Sequence, residues 1–235
     1  MNILAIDTSN QVLGVSLLNN GEILAELTTN IKKNHSVRLM PAVESLMQQV
    51  SMQPEELDRI VVAKGPGSYT GVRIGLSTAK TMAWALEIPV VGVSSLEVLA
   101  YQGKFFSGII CPFFDARRGL VFTGGYQFND NKIEKVIEEE NLLMTSMLDK
   151  LKKQGEKVVF LSPDIEQFKE LIKEELGDLA IIPEPIYHLP KASHLGLVGM
   201  NLEPEAIHEL VPNYLRLAEA EANWQKSQKE RQVNE

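Results

Sequence analysis

The sequence predicts an α/β fold made of two copies of a βββαβα unit. Three observations carry that prediction. The chain opens on three consecutive strand-like runs, helical and strand patterns then alternate, and near residue 109 the same order of patterns begins again. The aspartate that ends the first strand of each copy keeps nearly the same spacing to the next turn: Asp7 stands 14 residues before Gly21, and Asp115 stands 15 before Asp130.

The elements follow in order. Residues 2–8 and 12–18 read as strands, and Asn20-Gly21 supplies a two-residue turn whose positive backbone angles suit Asn and Gly, leading into a third strand over 22–28. From 36 to 50, Val37, Met40, Val43, Met47 and Val50 recur every three or four residues, the spacing of one helix face. Pro41 lacks an amide proton, so this helix either kinks there or begins its regular part close to it. A strand over 59–64, a glycine-rich loop over 65–71, a helix over 72–86 and a buried strand over 89–93 come next. Ser94 or Ser95 caps a helix running to about Gln102. In the second copy, strands are expected over 109–114, 120–126 and 132–137, the last two joined by a turn at Asn129-Asp130-Asn131. Helices over 145–153 and 165–176 bracket a strand over 157–161.

Length sets the scale, since 235 residues exceed one average domain and fall short of two. The repeat places a first lobe at 1–103 and a second at 104–217, the latter with a helical return to the first; 218–235 reads as a charged tail rich in Ala, Glu, Lys and Gln. The single cysteine, Cys111, can close no internal disulfide and removes any Cys-rich zinc site, which suits the cytosol. No apolar run approaches the length of a membrane span, and residues 1–6 lack the basic start of an export signal. A net charge of −8 is the wrong sign for a chain whose main contact is a phosphate backbone, so any nucleic acid is expected to be gripped by another subunit.

Two such halves back to back are the plan of the actin, sugar-kinase and heat-shock-ATPase superfamily, although architecture alone does not fix function. In that plan each half offers an acidic turn to a shared cleft, which makes Asp7, Thr8, Ser9 and Asp115 the candidate cofactor-binding residues. Backbone amides must approach phosphate oxygens closely at such turns, which requires small residues. No glycine closely follows Asp7, and Arg117 and Arg118 crowd the second turn, so both turns read as degenerate; ordinary strand ends are the alternative.

The run from Gly65 to Gly75 lacks the Lys-Ser or Lys-Thr of a Walker loop and the spacing of a dinucleotide fingerprint. Its glycines either free amides for an anion at a helix start or serve a turn with positive backbone angles. Gly71, Gly75, Ala79 and Ala83 recur every fourth residue as a stripe poor in side chains. It is expected to face a partner helix, with Met40, Val43 and Met47 beside it as soft, adaptable contacts; packing inside the chain's own core is the alternative. His35, His188, His194 and His208 include no pair three or four residues apart, and neither HExxH nor GxSxG occurs, so no metal site or catalytic set is expected.

Ile6-Asp7-Thr8-Ser9, Asn34-His35-Ser36 with Leu39-Met40-Pro41, the Lys64-to-Gly75 run, Asp115-Ala116-Arg117-Arg118 and Pro212-Asn213-Tyr214-Leu215-Arg216 together resemble the TsaB (YeaZ) family of bacterial tRNA threonylcarbamoyladenosine synthesis. The resemblance covers the chain up to about Glu221. It implies a non-catalytic partner of TsaD, the subunit that transfers a threonylcarbamoyl group to the adenosine following the anticodon, with the ATPase TsaE completing the machine. No cofactor is implied. The catalytic relative binds its metal through two histidines four apart on the first helix; here His35 is followed at that distance by Leu39, so no metal is implied either. The family pairs through its first two helices, with itself or with TsaD. That puts Ser36, Met40, Val43, Met47, Gly71, Ile74, Gly75, Thr78, Ala79 and Met82 at a partner contact. tRNA is then reached only through the complex, with Arg117 and Arg118 bordering a shared groove. A small-molecule kinase is one alternative, opposed by the missing glycines. A metallopeptidase-like hydrolase is the other, opposed by the absent histidine pair.

Overall fold

Two five-stranded sheets of identical topology form the frame. In the computed structural model, which describes residues 1–32 and 34–215, β1 (Asn2–Asp7), β2 (Val12–Asn19) and β3 (Glu22–Asn30) make an antiparallel meander. β4 (Arg59–Ala63) and β5 (Val90–Val93) extend it in parallel, giving the order β3-β2-β1-β4-β5. β6 (Ile109–Asp115), β7 (Leu120–Asn129), β8 (Lys132–Leu143), β9 (Val158–Leu161) and β10 (Ala180–Ile181) repeat it as β8-β7-β6-β9-β10. The hairpin turns match as well. Asn20 and Gly21 take φ of 49° and 86°, Asp130 and Asn131 take 47° and 65°, all in the left-handed region that Asn, Asp and Gly tolerate best. This is the duplicated α/β architecture that the sequence predicts. Arg216 and the tail expected over 218–235 lie outside the described residues.

Helices α1 (Leu39–Gln49) and α2 (Tyr69–Leu86) cover one face of the first sheet, burying Leu39, Val43, Leu46, Val72 and Leu76 with Leu4, Ile6 and Val62. α4 (Met144–Gln154) and α5 (Lys169–Leu176) cover the second sheet in the same way. α1 starts three residues later than the periodicity suggests, after a 3₁₀ turn at His35–Val37. Pro41 therefore falls in its first turn, where the amide it lacks would have had no helical acceptor. α2 starts three residues earlier than expected because the Ser68 hydroxyl accepts from the Gly71 amide at 3.2 Å and caps it.

α3 (Ser95–Ala100) and α6 (Ala192–Gly199) fill the space between the sheets. Leu96 and Leu99 of α3 pack on Ile110, Phe114 and Tyr126 of the second sheet, while Val98 meets the first. α6 follows the second repeat in sequence and packs on the first sheet, with Leu195 and Val198 against Ile3, Leu18 and Val61. At Gly196 an added Cβ would come within 2.4 Å of the Leu18 side chain, so the helix lies as close to the sheet as glycine permits. Beyond α6 the chain straps the first lobe: Leu210 enters its core, Lys80 Nζ donates to the Leu210 carbonyl at 2.8 Å, and Asn213 N–H donates to the Lys64 carbonyl at 2.7 Å. Among the described residues no helix is long and apolar enough to cross a membrane.

Candidate functional site

The ends of β1 and β6 approach one another across a cleft of about 1010 Å³. Its walls include Asn10, Gly67, Tyr69, Asp115, Arg117 and Tyr214. Of the four candidate cofactor residues only Asp115 opens onto it. Asp7, Thr8 and Ser9 are buried at 2%, 1% and 0% exposure, a correction to their expected place on the cleft wall.

The glycine run is what seals them. A Cβ on Gly67 would lie 2.0 Å from the Ser9 carbonyl oxygen, one on Gly71 2.2 Å from that of Thr8, and one on Gly75 2.6 Å from Thr8 Oγ1. Ser68 N–H donates to the Ser9 carbonyl at 2.7 Å, and Thr8 Oγ1 donates to the Gly71 carbonyl at 2.7 Å. The small residues of the glycine run thus serve close contact with the chain's own turn after β1. Ala79 and Ala83, at 0% exposure, continue the same buried row. The expectation that Gly71, Gly75, Ala79 and Ala83 face a partner helix is corrected accordingly: a four-residue period of small side chains signals close approach, and what approaches here is the chain's own first sheet with the turn after β1, Gly75 lying against Thr8, Val62 and Ile6 and the two alanines in the core.

Asp7 ends up with one oxygen engaged. Oδ1 accepts from Ser9 N–H at 2.8 Å, while Oδ2 is buried with no hydrogen-bond partner. Burial pushes its carboxyl above the usual range, the Ser9 hydrogen bonds and the nearby His35 charge pulling the other way. A folded-state pKa raised above the unfolded one favours the folded state at low pH, and that contribution is lost as pH rises through the folded value. Asp7→Asn, which keeps the acceptor and removes the charge, is therefore expected to raise stability at neutral pH by about 1 kcal/mol, or roughly 2 to 4 °C in Tm. The gain should shrink on acidification. Calorimetry at pH 5 and pH 8 checks both, and a variant less stable than its parent at pH 8 contradicts them.

The second turn is built differently. Asp115 Oδ1 accepts from Arg117 N–H at 2.9 Å, and Asp115 N–H donates to Asp164 Oδ2 at 3.0 Å. The Asp164 carboxyl is raised by burial first and by the neighbouring Asp115 charge. Arg117 and Arg118 are exposed on the rim.

A polar cluster that sequence reading missed ties the lobes together behind the cleft. Glu139 of β8 accepts from Ser94 Oγ and Tyr126 OH, both at 2.5 Å, and from Asn213 Nδ2 at 3.1 Å. Glu97 faces the same small cavity, its carboxyl raised by burial and then by Glu139. Burial also lifts the Tyr126 hydroxyl. These residues come from four distant stretches, so no local spacing announces them.

Burial pushes the Cys111 thiol up to about 12, which leaves it an uncharged core side chain. His188 is structural, its Nδ1 accepting from Ser162 N–H at 3.2 Å. Among the described residues no three His, Cys, Asp or Glu side chains converge as metal ligands would.

The outward faces of α1 and α2 carry the remaining expected contact residues. Val43 and Met47 are exceptions: at 2% and 5% exposure they belong to the core, which corrects their expected place at a partner contact, because their face of α1 lies on the first sheet; Ile74, Thr78 and Met82 are partly exposed. Met40 is 46% exposed and Ser36 open to solvent. Met40, Met47, Met52 and Met82 line a groove of about 590 Å³.

Comparison with known proteins joins this geometry to a family. A family model described as TsaD, tRNA N6-adenosine threonylcarbamoyltransferase, matches residues 22–224. The chain is 51% identical over 229 residues to the tRNA threonylcarbamoyladenosine biosynthesis protein TsaB of Bacillus subtilis, covering 97% of this chain and 100% of that one. It is 29% identical over 225 residues to the TsaB of Escherichia coli, covering 92% and 95%. A crystal structure of a Pseudomonas aeruginosa protein described as similar to peptidase YeaZ superposes with a TM-score of 0.77 at 26% identity, over 92% of this chain and 99% of that one. With 51% identity over 97% of the chain, and a superposition covering 92% of it, the chain belongs to the TsaB family of tRNA threonylcarbamoyladenosine biosynthesis proteins.

Proposed function

We propose that this chain is the non-catalytic partner subunit that works in the cytoplasm with a TsaD-like catalytic subunit and a TsaE-like ATPase to transfer a threonylcarbamoyl group to the adenosine following the anticodon of tRNA. The observation that carries the reading is the closed β1 turn: Asp7, Thr8 and Ser9 are buried under Gly67, Gly71 and Gly75, whose backbone lies too close for even a methyl group between them. A kinase of this fold needs that turn open. The methionine-lined groove along α1, bordered by Met52, Pro54 and, from α2, Met82, supports pairing through this face, with the catalytic subunit or, in isolation, with a second copy of the chain.

Deleting the chain from cells is expected to abolish threonylcarbamoyladenosine in tRNA, measured by mass spectrometry of digested nucleosides, and both the wild type and Asp7→Asn should restore it. The purified chain alone should neither transfer the group nor hydrolyse ATP appreciably. A deletion strain with normal modification sinks the assignment. ATP turnover near ~10 per second that Asp7→Asn abolishes replaces it with a kinase.

A further inference from the structure

The mouth of the interlobe cleft reverses the sign of the molecule. The chain carries a net charge of −8, yet Lys32, Arg117 and Arg118 face one cavity. Among the described residues none of the three side chains has a carboxylate within ion-pair distance. Arg117, Arg118 and Gly119 take successive left-handed φ angles of 69°, 58° and 75°, a conformation that side chains disfavour. The turn is held in it by the Asp115 carboxylate on Arg117 N–H and by Ala116 N–H donating to the Leu120 carbonyl at 2.9 Å. A corner that served only to join β6 to β7 would be better filled by Gly or Asn. Two adjacent guanidinium groups repel one another, and successive anionic charges relieve that repulsion; their planar forks match phosphate oxygens.

The floor of the cleft has the opposite character. Asp115 and Asp164 line it, and their carboxylates repel phosphate but accept hydroxyl protons. Cations outside and carboxylates inside fit a sugar–phosphate chain lying across the mouth, phosphates on the rim and ribose hydroxyls turned inward. The 2′-hydroxyl is the group that separates RNA from DNA at such a site. Tyr69 and Tyr214, 46% and 40% exposed, stand on the same cavity wall as a stacked pair with ring centroids 5.4 Å apart, and the Arg73 guanidinium lies 3.9 Å from the Tyr69 centroid, adding a cation beside the cleft.

We propose that the cleft mouth binds an unpaired segment of RNA, with Lys32, Arg117 and Arg118 on its phosphates and Asp115 and Asp164 accepting its ribose hydroxyls. This rests on the tRNA-modification reading and deepens it by naming the chain's own contact with the RNA. The acidic remainder of the chain keeps the free subunit's affinity low, and the catalytic partner adds to the grip.

The test is fluorescence anisotropy of the full chain at low salt with a labelled RNA stem-loop. The expected Kd is about 10⁻⁵ M, within the usual range for electrostatic binding. R117E/R118E should raise Kd by roughly ten-fold or more and flatten the dependence of log K on log salt by about 1.4, two single-strand phosphate contacts at ~0.7 each. Lys32→Glu should act in the same direction, and the all-deoxy stem-loop should bind more weakly than RNA. Because these side chains are exposed, melting curves should match the parent. Unchanged Kd and slope in R117E/R118E, or equal binding of the RNA and DNA loops, overturns the proposal. So does displacement of the RNA by an equal concentration of AMP, which would mark a mononucleotide pocket. The functional reading fails separately: a deletion strain that keeps the modification sinks that reading and leaves the binding result standing. Loss of modification that R117E/R118E fully restores, with RNA binding by the reconstituted complex unaltered, sinks only the RNA contact.

Discussion

Gly75→Leu is expected to lower the thermal unfolding midpoint by about 6 to 12 °C, and binding assays on the variant will report that loss rather than a contact. Its new Cβ would stand 2.6 Å from Thr8 Oγ1, and the rest of the leucine has to go into the space between α2 and β1. Overfilling a packed core costs about 1 to 3 kcal/mol. Rotating the Thr8 hydroxyl out of the way breaks its bond to the Gly71 carbonyl in a buried place, for about 1 to 3 kcal/mol more. The better helix propensity of leucine returns only about 0.8 kcal/mol. The middle of that range is about 3 kcal/mol, and a chain of this size loses roughly 2 to 4 °C per kcal/mol. Gly71→Ala is the companion variant. Its single methyl meets a backbone carbonyl 2.2 Å away, which no rotamer change can move. Calorimetry on both decides the matter, and midpoints within about 1 °C of the parent return the stripe to the surface.

The same residues show what a sequence does and does not disclose. The duplication was legible because the signals are local: Asn20-Gly21 and Asp130-Asn131 turn their hairpins through backbone angles that few other residues accept, and the strands and helices around them keep their own periods. α6 was legible only as a helical return within 104–217, without bounds, because it is apolar on nearly all sides and wedged between sheets and so shows no amphipathic period; β10 was missed because it is only two residues long. The four-residue row of Gly and Ala announced a close approach without naming the neighbour, since an approaching strand and an approaching helix ask the same of it. Asp7 and Asp115 were both legible as strand ends. Their different fates depend on how α2 docks, which closes the first turn and leaves the second open, and that is a tertiary event. The Glu139 cluster was invisible for a related reason, its members coming from α3's cap at Ser94, from β7, from β8 and from the strap after α6 that brings Asn213 back.

Met40→Glu is expected to leave the fold standing and to weaken association with the proposed TsaD-like subunit by about 100-fold. Met40 is 46% exposed in the first turn of α1, where a glutamate suits both helix propensity and the partial positive charge of a helix start. Nothing in the core is disturbed, because Leu39, Val43 and Leu46 on the same helix make the inward contacts. The side chain instead sits on the wall of the groove shared with Met52, Pro54 and Met82. A partner covering that groove would have to strip water from a carboxylate that has no cation beside it, and Glu44 already lines the same groove with a like charge. A desolvated, unpaired charge in a contact costs about 2 to 5 kcal/mol, and about 2.7 kcal/mol is the hundred-fold change named. Sedimentation of the variant mixed with the catalytic subunit reads the association, and calorimetry on the same sample reads the fold. The pairing of results matters: Gly75→Leu should lose stability first and Met40→Glu should lose binding alone. A folded Met40→Glu that associates as tightly as the parent removes the α1 groove from the interface.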